Sequence, residues 1–217
     1  MMRPIPLRDV LMEERRAYAL MRTVVQPETH CIDIGSHMGA ALREMTRLAP
    51  KGHHLAIEAD PFKAAWLRTA FPTVTIHTCQ LSDTNGMHEV PRRHAADPIG
   101  TVEYVQVATR RLDDLADPVR PPGFIRLDLG AMRAGTITGA ERVLRGGPIL
   151  LLAATPDPSA VDSTLLAETL DQLRRAYGYR WFPVSDWIND LADSAEWDLQ
   201  ALLLRVAGGS GLVAIPD

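Results

Sequence analysis

Apolar residues recur at helical spacing through residues 8–24 (RDVLMEERRAYALMRTV), with Asp9 placed to cap a helix or complement its N-terminal dipole. The pattern then shortens. HCIDIG reads as a brief buried strand, and GAALREMTRLA as a helix closed by Pro50 and Gly52. HHLAIEAD predicts a second strand, PFKAAWLRTAF a helix with proline in its first turn, and VTIHTCQL a third strand running into the turn-rich SDTNG. Residues 101–112 (TVEYVQVATRRL) predict a strand pair or one bent strand, and FIRLDLG a further strand. The tract 131–145 is helix-like but weakened by Gly135 and the β-branched Thr136, Ile137 and Thr138. PILLLAAT is a strongly apolar strand and 162–177 an amphipathic helix. RWFPV and LQALLLRV predict a closing strand pair.

Strand and helix alternate, so the strands should be parallel, with crossover helices on both faces of the sheet. The Pro-rich DPVRPPG (117–123) reads as a loop before a strand, and no repeat or linker divides the chain. The expectation is one α/β domain spanning 1–217, within the roughly 250 residues over which a single core grows.

Composition narrows the function classes. With 46% hydrophobic and 23% charged residues and a net charge of −4, no basic field argues for nucleic acid or an anionic membrane. No apolar run approaches the roughly 20 residues of a membrane span, and MMRPIPLRDV lacks a signal peptide's apolar core. Cys31 and Cys79 sit in strand-like segments and read as buried thiols. The expected compartment is therefore the cytoplasm.

The chemistry-bearing stretch is CIDIGSHMGAALREM (31–45). In open α/β sheets, ligands bind beyond the C-terminal ends of the strands, where strand order reverses. There Asp33 ends a strand, Gly35 permits a sharp turn, and Gly39 lets the next helix approach closely. The spacing is D-x-G-x-x-x-G rather than G-x-G-x-x-G. His37 fills the slot where a dinucleotide's pyrophosphate needs glycine, which disfavours an oxidoreductase. Glu58 ends the next strand, 25 residues after Asp33, close to the roughly 20 typical of an acid that binds ribose hydroxyls. Leu81, Ser82 and Asp83 leave the third strand where a base attached to that ribose would lie.

The ordered series IDIGSHMG, AIEADP, LSDTNG, RRLDDL, FIRLDLG and PILLL resembles the class I S-adenosylmethionine-dependent methyltransferases, and within them the FkbM-like family. It extends over roughly residues 30–155, with a weaker echo at AYGYRWFPV. The resemblance implies a Rossmann-like fold, a mostly parallel sheet with a closing antiparallel pair, and S-adenosylmethionine as cofactor. Asp33, Gly35, Ser36, His37 and Gly39 would shape the methionine end of its site. Glu58 with Ala59 would take the ribose, and Leu81, Ser82 and Asp83 the adenine, with Asp128 beside the reacting centre. The implied reaction is O-methylation of a hydroxyl on a natural product or sugar.

This sequence departs from the family at three places. His37 stands where asparagine is usual, and Ala59 replaces the first proline of E-P-x-P. RLDLGAMR replaces K-I-D-V-E-G-A-E, so that Gly130 and Arg133 stand for the two glutamates. Asp128 remains as a base within reach of a hydroxyl acceptor, or as an acid that caps the next turn; His37 is the second catalytic candidate or a loop histidine. Loss of the acids also motivates a non-catalytic cofactor-binding partner or regulator. His77 reads as a packed strand histidine, His53–His54 lack a third metal ligand, and His94 with Asp97 form a loop pairing of little specificity. The aromatic group Tyr177, Tyr179, Trp181, Phe182, Trp187 and Trp197 reads as core or homodimer contact, with Trp187 and Trp197 as the alternative lining of an acceptor pocket.

Overall fold

The computed structural model describes residues 7–92, 103–153, 161–184, 206 and 211–216. Helix α1 (Leu7–Val24) leads into strand β1 (Cys31–Ile34), then α2 (Ala40–Leu48), β2 (His54–Glu58), α3 (Pro61–Ala70) and β3 (Thr75–Leu81). An edge pair follows, β4 (Gly86–Arg92) and β5 (Glu103–Arg110). Then come α4 (Leu112–Leu115), β6 (Phe124–Asp128), α5 (Glu141–Arg145), β7 (Ile149–Ala153), α6 (Ser163–Tyr177), β8 (Tyr179–Pro183) and β9 (Leu212–Pro216).

The nine strands form one sheet in the order β4-β5-β3-β2-β1-β6-β7-β9-β8. The pairs from β5 to β7 are parallel, while β4–β5, β7–β9 and β8–β9 are antiparallel. This is the Rossmann-like architecture expected from the sequence, mostly parallel with a closing antiparallel pair. Strand order reverses between β1 and β6, so a crevice opens at their C-terminal ends.

Alternation along the strands sorts the two layers. Cys31, Phe124 and Leu151 face α1 and α2, packing with Leu20, Met21 and Met45. Ile32, Ile34, Ile125 and Leu127 face the other way, onto Val143 and Leu144 of α5 and Leu166, Leu170 and Leu173 of α6. α3 packs through Ala64 and Leu67 against Ala56 and Ile76. It starts where it does because Asp60 caps it, accepting from the Phe62 and Lys63 N–H groups, with Pro61 at the first position.

Three expectations change. Residues 86–92 form a strand paired antiparallel with 103–110, so the tract at 101–112 contributes one strand and its partner lies upstream. Residues 131–145 hold only the short α5, preceded by 3-10 turns at Leu129–Ala131 and Thr138–Ala140. Gly135 lies in the left-handed region (φ 81°), which interrupts the helix. The second closing strand is 212–216; of the expected 199–206 only Val206 is described, and it is helical and buried. No helix among the described residues is long and apolar enough to cross a membrane.

Candidate functional site at the strand switch point

Register decides which side chains meet. Asp33 of β1 lies level with Arg126 of β6, and Ile34 with Leu127. Neighbours at one level point to the same face, so Asp33 and Arg126 lie side by side, with Asp128 one step further along. Arg126 Nη1 donates to Asp33 Oδ1 at 2.9 Å and to the Gly35 carbonyl at 3.3 Å, and Nη2 donates to Asp128 Oδ2 at 3.2 Å. Asp33 is fully buried, and its Oδ2 has no partner among the described residues. One guanidinium thus serves two carboxyl groups.

The turn after β1 is built around Gly35 (φ 77°). Its N–H donates to the Ile57 carbonyl at 2.9 Å, and Ser36 Oγ donates to the Asp33 carbonyl at 2.9 Å. A Cβ on Gly35 would lie 2.7 Å from the Ala131 Cβ and 2.8 Å from the Asp128 Cβ. The turns after β1 and β6 therefore touch only because position 35 has no side chain. His37 is exposed and sits at φ 53°, the described non-glycine residue with positive φ. Histidine tolerates that region better than most residues, which accounts physically for its place here. Gly39 (φ 78°) caps α2, where a Cβ would come within 2.5 Å of the Phe71 ring.

Glu58 joins the two turns. Its Oε2 accepts from the His37 N–H at 2.7 Å and its Oε1 from the Asp60 N–H at 2.9 Å, and the residue is buried. Ala59 lies half-buried between them. Asp128 Oδ1 accepts from the Gly130 N–H at 2.9 Å, capping the following turn. Burial raises the Asp128 pKa above the ordinary carboxylate value, opposed chiefly by Arg126 and the Gly130 N–H.

Leu81 is buried, Ser82 half-buried and Asp83 exposed. The Ser82 N–H donates to the Arg110 carbonyl at 3.0 Å, and its hydroxyl to Asp83 Oδ1 at 3.1 Å. The segment after β6 crosses to this turn: a Cβ on Gly139 would lie 2.0 Å from the Ser82 carbonyl oxygen, and one on Gly135 2.8 Å from the Asp83 N.

Two features escaped the sequence reading. Arg126 was legible only as a charge inside an apolar strand, level with a buried acid on its neighbour. The contact of Gly135 and Gly139 with the Ser82–Asp83 turn had no sequence signal. His77 is half-buried in β3, and Tyr179 and Trp181 stack in the core with ring centroids 6.3 Å apart. His94, Asp97, Trp187 and Trp197 lie outside the described residues. Among the described residues no group of three or more His, Cys, Asp or Glu is placed to hold a metal ion.

No protein-family model matches the sequence, and no curated protein matches it significantly. Solved structures do match in fold. A candidate rRNA methylase from Clostridium thermocellum superimposes with a TM-score of 0.53 at 11% identity, covering 94% of each chain. A candidate methyltransferase from Streptococcus mutans, in complex with S-adenosylhomocysteine, gives 0.53 at 10% identity, covering 94% of this chain and 97% of its own. The plantazolicin methyltransferase BpumL, in complex with a pentazolic desmethylPZN analogue and S-adenosylhomocysteine, gives 0.50 at 12% identity, over 97% of this chain and 84% of its own. What this chain shares with them is the fold.

Proposed function

We propose that this chain is an S-adenosylmethionine-dependent methyltransferase of FkbM-like type. On this reading it is a single cytoplasmic domain that methylates a hydroxyl of a small molecule. The observation that carries the reading is Glu58, a buried carboxylate at the end of β2 that already holds the turns after β1 and β2 together. Each of its oxygens keeps an acceptor position, which suits the two hydroxyls of a ribose. Asp33 Oδ2, buried and without a partner among the described residues, lies behind the turn where the cofactor's α-ammonium group would sit. When bound, the cofactor supplies a methyl group on a sulfonium, open to in-line displacement.

The chain's own part is alignment, exclusion of water and management of one proton. Gly35 lets the first turn lie against Asp128 and Ala131, and Leu81, Ser82 and Asp83 form the adenine end. Exposed Met38 and Phe62, next to His37 and Pro61 in the chain, offer an apolar rim for an acceptor. Asp128 has one bond on each oxygen, so a lone pair remains to take the acceptor's proton, and its raised pKa moves it toward the useful range for a base.

A second reading, cofactor binding without catalysis, draws on Arg133. Its guanidinium turns back onto the Gly130 and Met132 carbonyls, where the resemblance expects an acid.

Calorimetry with S-adenosylhomocysteine tests the shared premise; no saturable binding would overturn both readings. Methyl transfer from labelled S-adenosylmethionine to hydroxylated small molecules, with RNA as the competing acceptor class, then separates them. Turnover of a small molecule supports the first reading, methylation of RNA alone overturns its acceptor class, and tight binding without any turnover favours the second. For the base, Asp128→Asn should lower kcat by about 100-fold or more. A near wild-type rate would leave alignment alone.

A further inference from the structure

The N-terminal ends of β1, β2 and β3 hold a pocket, at the opposite end of the strands from Gly35 and Asp128. Its volume is about 130 Å³, and His30, His53, Thr75, Asp117, Arg120 and Pro122 contribute to its lining. Topology places them there. His30 directly precedes β1, His53 precedes β2 and Thr75 opens β3, all parallel, while the loop after α4 brings Asp117 and Arg120 across.

The hydrogen bonds fix what this pocket can offer. The His53 N–H donates to His30 Nδ1 at 2.9 Å, so a neutral His30 carries its proton on Nε2. That nitrogen is then a donor, with no lone pair for a metal. His54 Nε2 meets the Ala49 carbonyl at 2.9 Å and must donate to it, and His54 Nδ1 is buried without a partner among the described residues. The His30 and His53 rings lie 5.4 Å apart, centroid to centroid. Arg120 stands 3.7 Å from Asp117, a loose pair with both side chains more than two-fifths exposed, which leaves most guanidinium N–H groups available. Cys31 is also in the lining, but burial, its largest influence, pushes its thiol up to about 12, so it stays neutral.

We infer that this pocket is a binding site for a small tetrahedral oxyanion, inorganic or the phosphoryl end of a small phosphomonoester, held by His30 Nε2–H, the His53 ring and Arg120. His30 Nε2–H and Arg120 offer donors to an anion, whereas the lone pair of His54 Nδ1 is buried. The volume takes a tetrahedral oxyanion. Without ligand the Arg120 and Asp117 charges cancel, so an added anion favours protonation of His30 at Nδ1, at the cost of the His53 N–H bond. Burial, then His53 and Arg120, hold the His30 pKa below its ordinary value, with Asp117 opposing. Burial likewise lowers that of His54. An anion reverses the charge part of this effect, so affinity rises as pH falls.

Sulfate is the probe, because its charge is constant between pH 5.5 and 8. Imidazole NMR of the full chain, titrated with sulfate, should show saturable shifts at His30 and His53. The dissociation constant should be about fivefold or more tighter at pH 5.5 than at pH 7.5. Arg120→Gln should weaken binding about tenfold. His30→Asn, whose Oδ1 can still accept the His53 N–H, should do the same without loss of fold. Glycerol 3-phosphate binding more tightly than phosphate would identify a phosphomonoester as the ligand, and the reverse order a free anion. Shifts that never saturate, or that are equal in both variants, would overturn the inference as an unspecific salt effect. So would saturable zinc binding that His30→Asn abolishes while sulfate leaves the rings unmoved.

Discussion

Replacing Arg126 with methionine probes the link between the ends of β1 and β6 most directly. Methionine nearly keeps the buried length of the arginine stem, so the apolar contribution changes little. The electrostatic change is large. Asp33, fully buried, loses its one side-chain hydrogen bond at 2.9 Å, and Asp128 loses its 3.2 Å bond while keeping the Gly130 N–H. Removing one partner of a buried pair typically costs about 3–5 kcal/mol, and that exceeds anything a methionine side chain returns. For a chain of this size such a loss lowers Tm by roughly 6–20 °C. Burial already raises the Asp128 pKa, and loss of Arg126 raises it further. A carboxyl raised in the folded state stabilises the fold below its unfolded pKa, and that contribution is lost as pH rises through the folded pKa. The variant's deficit should therefore be largest near pH 7.5 and shrink toward pH 5. Urea unfolding followed by circular dichroism at both pH values measures it, and adding Asp33→Asn should recover part of the loss. A deficit below about 1 kcal/mol at pH 7.5, or one that grows toward pH 5, would refute the clamp.

Gly35→Val should disrupt the fold or cost more than about 3 kcal/mol, since it combines a positive φ with contacts of 2.7 and 2.8 Å; a thermal melt within a few degrees of wild type would contradict this. His37→Asn keeps a residue suited to φ 53° and should leave stability within about 0.5 kcal/mol and S-adenosylhomocysteine affinity unchanged or improved. Loss of folding would make His37 a packing residue instead. Glu58→Ala frees two backbone N–H groups and should cost about 2–4 kcal/mol in urea unfolding, besides abolishing measurable cofactor binding in calorimetry. Equal affinity would remove Glu58 from the site.

Local pattern determined much of this protein. The alternation of short buried strands with helices was enough for the parallel sheet, because each segment carries its own period and its own stops: Asp60–Pro61 starts α3 and Gly178 ends α6 whatever surrounds them. The turn after β1 was legible for the same reason, since a left-handed backbone leaves a signature of glycines at 35 and 39. What was hidden depends on residues distant in the chain. The strand at 86–92 has a partner only when 103–110 is brought beside it, and 131–145 gives up its helix to pack against Ser82 and Asp83. Glu58 could be read as an acid at a strand end, but not as the bond between two turns. Asp33, Arg126 and Asp128 became one unit only through the register of β1 and β6. Sequence determines which face each strand residue takes; the sheet decides its neighbour, and in a buried site the neighbour sets the charge.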